Sequence, residues 1–266
     1  MDIAEYNQRA WNAEVDRGNP WTVPVDADTI ARARVGDWSI VLTPSIPTPR
    51  EWFPSTLAET KILCLAGSGG QQAPVLAAAG ATVTVLDNSD AQLARDAEVA
   101  EREGLSIELA QGDMRDLSRF EDQTFDLIFH PCSNGFVPDV NPVWREAFRV
   151  LKPGGSLLSG FTNPIRHIFD YKEELAGNLV VRHSIPYADE TSLRPEELAE
   201  FVDGLEPIEF GHTLDDQIGG QLAAGFLLSG FFEDRYPEGS DDPLSGHICS
   251  FIATRALRPM SNGGSQ

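Results

Sequence analysis

The chain has 266 residues, 41% of them hydrophobic, with 41 acidic against 20 basic side chains and a net charge of −21. That length accommodates one large α/β domain with an embedded cap, while the charge opposes a nucleic-acid backbone as partner. No apolar run approaches the roughly 20 residues of a membrane helix, and residues 1–5 have neither the basic nor the apolar region of a secretion signal, so a cytoplasmic protein with no membrane partner is expected.

Residues 3–17 place Ile3, Tyr6, Ala10, Trp11 and Val15 at helical spacing, predicting an amphipathic helix that ends at Asn19-Pro20-Trp21. A short helix is expected over 28–34, capped by Asp26 or Asp28. Pro44, Pro47, Pro49 and Pro54 mark a link. From 61 onward the pattern alternates. Strands are expected at 61–66, 82–87, 106–110, 125–130 and 155–161, and helices at about 71–79, 89–103 and 139–151, with Gly80 and Gly104 as C-caps. Such alternation specifies a doubly wound parallel sheet whose ligands gather at the carboxyl ends of its strands, near the switch point.

A glycine-rich turn, Leu65-Ala66-Gly67-Ser68-Gly69-Gly70, follows the first strand, and Asp87 ends the second. Glycines let the backbone approach a ligand closely, and a carboxylate about 20 residues on can hold a ribose diol, so this is a nucleoside-binding half. Gln72 stands where a dinucleotide fingerprint would have its third glycine.

After 164 the rhythm breaks. Residues 165–175 read as helix, 177–186 as strand, 191–197 as the opening of a short helix, and 213–224 as a helix ending at Gly225. Strands are expected at 226–233 and 247–255, followed by a disordered tail at 261–266. Between 171 and 250 there are 17 acidic and 4 basic residues. This reads first as a solvated acidic surface, with a neutral or cationic substrate as the alternative. The three cysteines, Cys64, Cys132 and Cys249, are scattered and odd in number, which argues against a disulfide framework or zinc site; no metal is expected.

Five motifs in order resemble the class I S-adenosylmethionine-dependent methyltransferases, of the small-molecule type 11 kind related to quinone and sterol methyltransferases. They are the glycine turn, Leu86-Asp87-Asn88-Ser89, Gln111-Gly112-Asp113-Met114, Phe125-Asp126-Leu127-Ile128 and Arg149-Val150-Leu151-Lys152-Pro153-Gly154-Gly155. The resemblance implies a seven-stranded, mostly parallel sheet with an antiparallel last strand. It also implies an N-terminal helical lid (1–55), a cofactor-binding core (56–164), a substrate-cap insertion (165–211) and a completing segment (212–258). Lys152-Pro153-Gly154-Gly155 is punctuation into the fifth strand.

S-adenosyl-L-methionine is the cofactor so implied. Ala66, Gly67, Ser68 and Gly69 would meet its amino-acid end, with Ser68 and the following helix offering donors to the carboxylate. Asp87 would accept from the ribose hydroxyls, with Asn88 and Ser89 flanking the adenosine. Gly112, Asp113 and Met114 would surround the adenine. Where the family places an acid early in the first motif, this chain has Leu65, so a backbone carbonyl near Ala66 or Gly67 is expected to hold the ammonium.

Methyl transfer needs alignment and exclusion of water more than a signature nucleophile. The family places groups beside the transferable methyl in the segment containing His130, Ser133 and Asn134. His130 would orient the acceptor, take its proton, or merely hydrogen-bond the cofactor or the backbone. His212 would line the substrate cavity with Ser133 and Asn134, or else cap a helix; His167 is a weaker candidate, and His183 and His247 read as surface or strand residues. Nothing near Cys132 activates it as a nucleophile. Tyr6, Trp11 and Trp21 belong to the lid or simply pack, and Phe169, Tyr171, Ile185, Tyr187 and Phe201 are expected to form the substrate pocket. Absence of an N-P-P-Y/F signature disfavours DNA and protein substrates, leaving a small molecule with an oxygen, nitrogen, carbon or sulfur acceptor. A nicotinamide-dependent oxidoreductase and a non-catalytic cofactor-binding regulator are the alternatives.

Overall fold

The computed structural model describes residues 1–260, so the tail expected at 261–266 lies outside the described residues. Helix α1 (Ile3–Arg17) starts at Asp2, whose carboxylate accepts the Glu5 N–H, and stops at Gly18, in the left-handed conformation. Helix α2 (Ala27–Arg34) is capped by Asp26. Then β1 (Lys61–Leu65), α3 (Gln72–Ala78), β2 (Thr82–Asp87), α4 (Asp90–Glu103), β3 (Ile107–Gln111), β4 (Phe125–His130), α5 (Asn141–Val150) and β5 (Leu151–Thr162) alternate as expected. Beyond them lie α6 (Tyr171–Leu175), β6 (Tyr187–Ala188), α7 (Asp189–Ser192), α8 (Pro195–Gly204), β7 (Phe210–Gly211), α9 (Gly220–Ala224), β8 (Leu227–Asp234) and β9 (Phe251–Leu257).

One sheet of seven strands runs in the order β3-β2-β1-β4-β5-β9-β8, and β9 is its antiparallel member, as the resemblance implies. Alternation along β1 shows how the core is divided. Ile62 and Cys64 pack with Ile30, Leu76 and Val85 on one face, while Leu63 and Leu65 pack with Val143 and Trp144 on the other. Both faces are covered, so these strands are apolar throughout; burying each large aliphatic side chain contributes about 1.5–3 kcal/mol. The strand order reverses between β1 and β4, and Leu65, Asp87 and His130 end β1, β2 and β4 around that point.

The region after β5 departs from expectation. Residues 165–175 split into a 3-10 turn (Pro164–Ile168) and α6, because Asp170 caps a new helix by accepting the Lys172 and Glu173 N–H groups. The strand expected at 177–186 is absent: Val181 forms a single bridge to Phe169, and Val180 and Val181 are exposed. A β-branched run becomes a strand only where a sheet edge receives it. Here Arg182 is drawn instead into ion pairs with Asp170 and Glu197. The helix expected at 213–224 begins as a π-turn (Asp215–Gly219) before α9, and β9 starts at Phe251, later than the expected 247.

Candidate active site

A cavity of about 370 Å³ opens at the carboxyl ends of β1, β2 and β4, within the size range of small-molecule sites. Ala66, Gly67, Ser68, Asp87, Asn88, Ser89, Asp113, Met114 and Ser133 line it. The glycine turn is held from beneath. Ser68 N–H donates to Gln72 Oε1 (3.1 Å), Gly69 N–H to Gln92 Oε1 (2.9 Å) and Gly70 N–H to Asp96 Oδ1 (2.9 Å). Of the donors expected to face the cofactor carboxylate, the Ser68 N–H is therefore spent inside the protein. Gly69 does not line the cavity; a Cβ there would collide with Gln92, so its bareness serves the packing of the turn on α4. Gly112 also stays out of the wall, against Leu86.

Asp87 accepts the Ser89 N–H at Oδ1 (2.7 Å), with its carboxylate in the cavity wall. Burial pushes its pKa up to about 7, against the pull of the Ser89 and Asn88 backbone donors. A carboxylate in a cavity wall, not ion-paired with any of the described Lys or Arg side chains, is suited to accept from a ligand's hydroxyl donors. Asp113 is engaged by Arg115, whose Nη2 donates to Oδ2 at 2.6 Å and whose backbone N–H donates to Oδ1 at 2.8 Å.

Helix α1 crosses this half of the cavity with Ile3, Ala4, Asn7, Trp11 and Glu14 facing in. Asn88 Nδ2 donates to Ala4 O (2.6 Å), and Ser89 Oγ donates to Asn12 Oδ1 (2.6 Å). Trp11 meets Phe136 edge-on, with ring centroids 5.0 Å apart, and Trp21 also lines the cavity. Tyr6 turns away, donating to Glu206 O and packing with Ile208 and Phe210.

His130 stands behind the wall, fully buried. Nδ1 lies 2.8 Å from Leu65 O and Nε2 lies 2.6 Å from Asn134 Oδ1. Burial pushes its pKa down while those two oxygens pull it up, with a net lowering. The ring ties the end of β1 to the loop after β4, in keeping with the backbone-bonding alternative rather than with a place beside the acceptor. Asn134, itself buried, continues the chain by donating to Gln217 Oε1 at 2.8 Å. His212 is likewise buried, its Nε2 within 3.0 Å of the Asn134 and Val137 carbonyls, so it buttresses the wall from outside. Cys132 reaches the cavity, but burial pushes its thiol up to about 12, which suits no nucleophile.

The rest of the lining comprises the segment 41–44, Glu206, Pro207 and Glu209, and Tyr236 with Phe251, which the sequence did not point to, together with Pro131 and Cys132 from the segment after β4, which it did. Asp234 holds the first of these in place, accepting from Thr43 Oγ1 (2.8 Å), Ser45 N–H (2.8 Å) and Ile46 N–H (3.0 Å). Phe169, Tyr171, Ile185, Tyr187 and Phe201, the expected pocket, line none of it. Tyr171 packs on Phe201, and Tyr187 is sandwiched by His167 and His183. His247 closes a 3-10 turn. Among the described residues there is no metal-holding group of His, Cys, Asp or Glu, and no helix long and apolar enough to cross a membrane.

Residues 63–159 match a family described as a methyltransferase domain. Over 256 residues, 96% of this chain and 98% of the relative, the sequence is 48% identical to the uncharacterized methyltransferase YbaJ of Bacillus subtilis (strain 168). A stretch of 155 residues, 57% of this chain but 26% of the longer relative, is 35% identical to a glycine/sarcosine/dimethylglycine N-methyltransferase of Actinopolyspora halophila. Among solved structures, an S-adenosylmethionine dependent methyltransferase from Mesorhizobium loti shares the fold with a TM-score of 0.55 and 19% identity, over 79% of this chain and 95% of that one.

Proposed function

The chain belongs to the class I S-adenosylmethionine-dependent methyltransferases, and from that premise we propose that it methylates a small, neutral or cationic molecule by in-line displacement in the cavity at the switch point. The cofactor is S-adenosylmethionine, which supplies a methyl on a good leaving group. What remains for the protein is to bind, align and exclude water.

The observation that carries this reading is the one cavity lined by Asp87 and the turn Ala66–Gly67–Ser68 together with Ser133, Tyr236 and Phe251. Asp87 accepts the ribose hydroxyls, Asn88 and Ser89 flank the adenosine, and Met114 packs beside the adenine with Asp113 at its edge. With the donors of the turn turned inward, the carbonyls near Ala66 and Gly67 serve the cofactor's ammonium. Ser133 faces the acceptor. His130, Asn134 and His212 are positioning residues that set the wall behind it. Residues 1–55 act as the lid, and the insertion 165–211 contributes through its last turn, at Glu206, Pro207 and Glu209.

Calorimetric titration with S-adenosylmethionine, S-adenosylhomocysteine and NADH tests the cofactor half of this reading. Release of S-adenosylhomocysteine across a panel of small acceptors tests the rest. Tight cofactor binding with no turnover on any acceptor would favour a regulatory protein.

A further inference from the structure

The charged side chains that line the cavity are mostly acidic. Among the described residues lining the cavity, Arg115 is the one Lys or Arg, and it is bound to Asp113. Five carboxylates line the same space: Glu14, Asp87, Asp113, Glu206 and Glu209. Glu14 and Glu206 share Arg17, and Asp87 is assigned above to the ribose. Among the described residues Glu209 pairs with no Lys or Arg, its one ionic partner being His167.

Glu209 is built into place. Its N–H donates to Asp189 Oδ2 (2.6 Å) and its carbonyl accepts the Asp189 N–H (3.1 Å). Its side chain keeps 50% of its surface open while lining the cavity. Behind it, His167 is 7% exposed, lies with Nε2 3.3 Å from Glu209 Oε2, and has no partner for Nδ1. Burial pushes the Glu209 carboxyl up, but His167 and Arg166 outweigh that and hold it below its ordinary range. Arg166 itself is 2.9 Å from Asp242 and lies over the rings of Tyr236 and Phe251. Those two rings meet edge to face at 5.1 Å, giving the wall an apolar surface next to the carboxylate.

An ionised carboxylate beside aromatic rings receives a cation and repels an anion. Resting on the methyltransferase reading above, we infer that the acceptor is a small molecule bearing a protonated amine, which Glu209 receives while Tyr236 and Phe251 face its apolar part. His167 is a positioning residue that keeps the carboxylate turned to the cavity.

Wild-type protein is first titrated with S-adenosylhomocysteine; failure to bind at that step would sink the methyltransferase reading itself. The saturated protein is then titrated with a series of primary alkyl and arylalkyl amines, each beside its matched carboxylic acid and alcohol. At least one amine is expected to bind about tenfold or more tightly than its acid and alcohol. Glu209→Gln should erase that preference with S-adenosylhomocysteine affinity held within about twofold, and Glu209→Asp should retain part of it. Equal binding of acids or alcohols, no binding by any amine, or an undiminished preference in folded Glu209→Gln protein would each overturn the inference. Should the variants not fold, the wild-type comparison decides alone.

Discussion

Asn7 completes both backbone hydrogen bonds of Ile208, as a neighbouring strand would: its Nδ2 donates to Ile208 O at 3.0 Å and its Oδ1 accepts the Ile208 N–H at 2.8 Å. The same Nδ2 also donates to Phe136 O at 3.0 Å. One buried amide thus joins α1 to the last turn of the insertion and to the loop after β4. Asn7→Ala strands three backbone groups and should cost about 1–3 kcal/mol. We expect a lower urea midpoint together with weaker S-adenosylhomocysteine binding, because α1 carries a wall of the cavity. Unchanged affinity would separate the helix from the cofactor site.

Asp87→Ala should weaken cofactor binding through loss of charge-assisted hydrogen bonds of about 1.5–3 kcal/mol each. Because burial raises this carboxyl to about 7, it is protonated at mild acid and a poorer acceptor there. Wild-type affinity for S-adenosylmethionine should therefore rise as pH increases through about 7, and the Ala variant should lose that slope. Calorimetry at several pH values reads both effects.

The two contacts of His130 predict a joint loss. His130→Ala frees the Leu65 carbonyl and Asn134 together, so thermal stability and cofactor affinity should fall alongside the rate. The pH profile of the remaining activity should keep its shape, since a buried strut exchanges no proton with the acceptor. A fall in kcat alone, with affinity untouched, would return the ring to the reaction centre.

Asp96 gives a stability prediction with a definite sign. Burial raises its carboxyl to about 8, with the Gly70 N–H pulling down and Asp87 pushing further up. A carboxyl raised on folding contributes stability that is fully present below its unfolded pKa of about 3.9 and fades as pH rises through the folded value. Asn keeps an acceptor for Gly70 and never ionises. Apoprotein carrying Asp96→Asn should therefore match wild type near pH 4 and exceed it near pH 9, on the order of 1–3 kcal/mol. Parallel denaturation curves at both pH values would exclude the effect.

Local signals made the first half of the site readable. β1, the glycine turn, β2 and Asp87 follow one another within the span 61–87, where periodicity and turn chemistry act at short range. The supports under the turn were hidden, because Gln92 and Asp96 arrive on α4 and nothing in their spacing announces an acceptor. The bracket at 43–46 was hidden for a stronger reason: it is held by Asp234, some 190 positions away. Glu209, Tyr236 and Phe251 come from three separate elements and meet only in three dimensions. The expected aromatic pocket failed because Tyr171 and Phe201 pack on each other and Tyr187 packs on His167 and His183, away from the cavity.

The fastening of α1 has a kinetic corollary. Ala4 is tied to Asn88 and Asn12 to Ser89 and Asp90, while the 19–25 stretch is clipped to the glycine turn through Gln71 and Val25. On the proposed reading of residues 1–55 as a lid, a nucleoside seated below would leave along that side only when several of these latches release together. Residence time should then follow how often the helix peels back, a microsecond-to-millisecond class of motion. Tightness of grip and speed of departure would become separately adjustable.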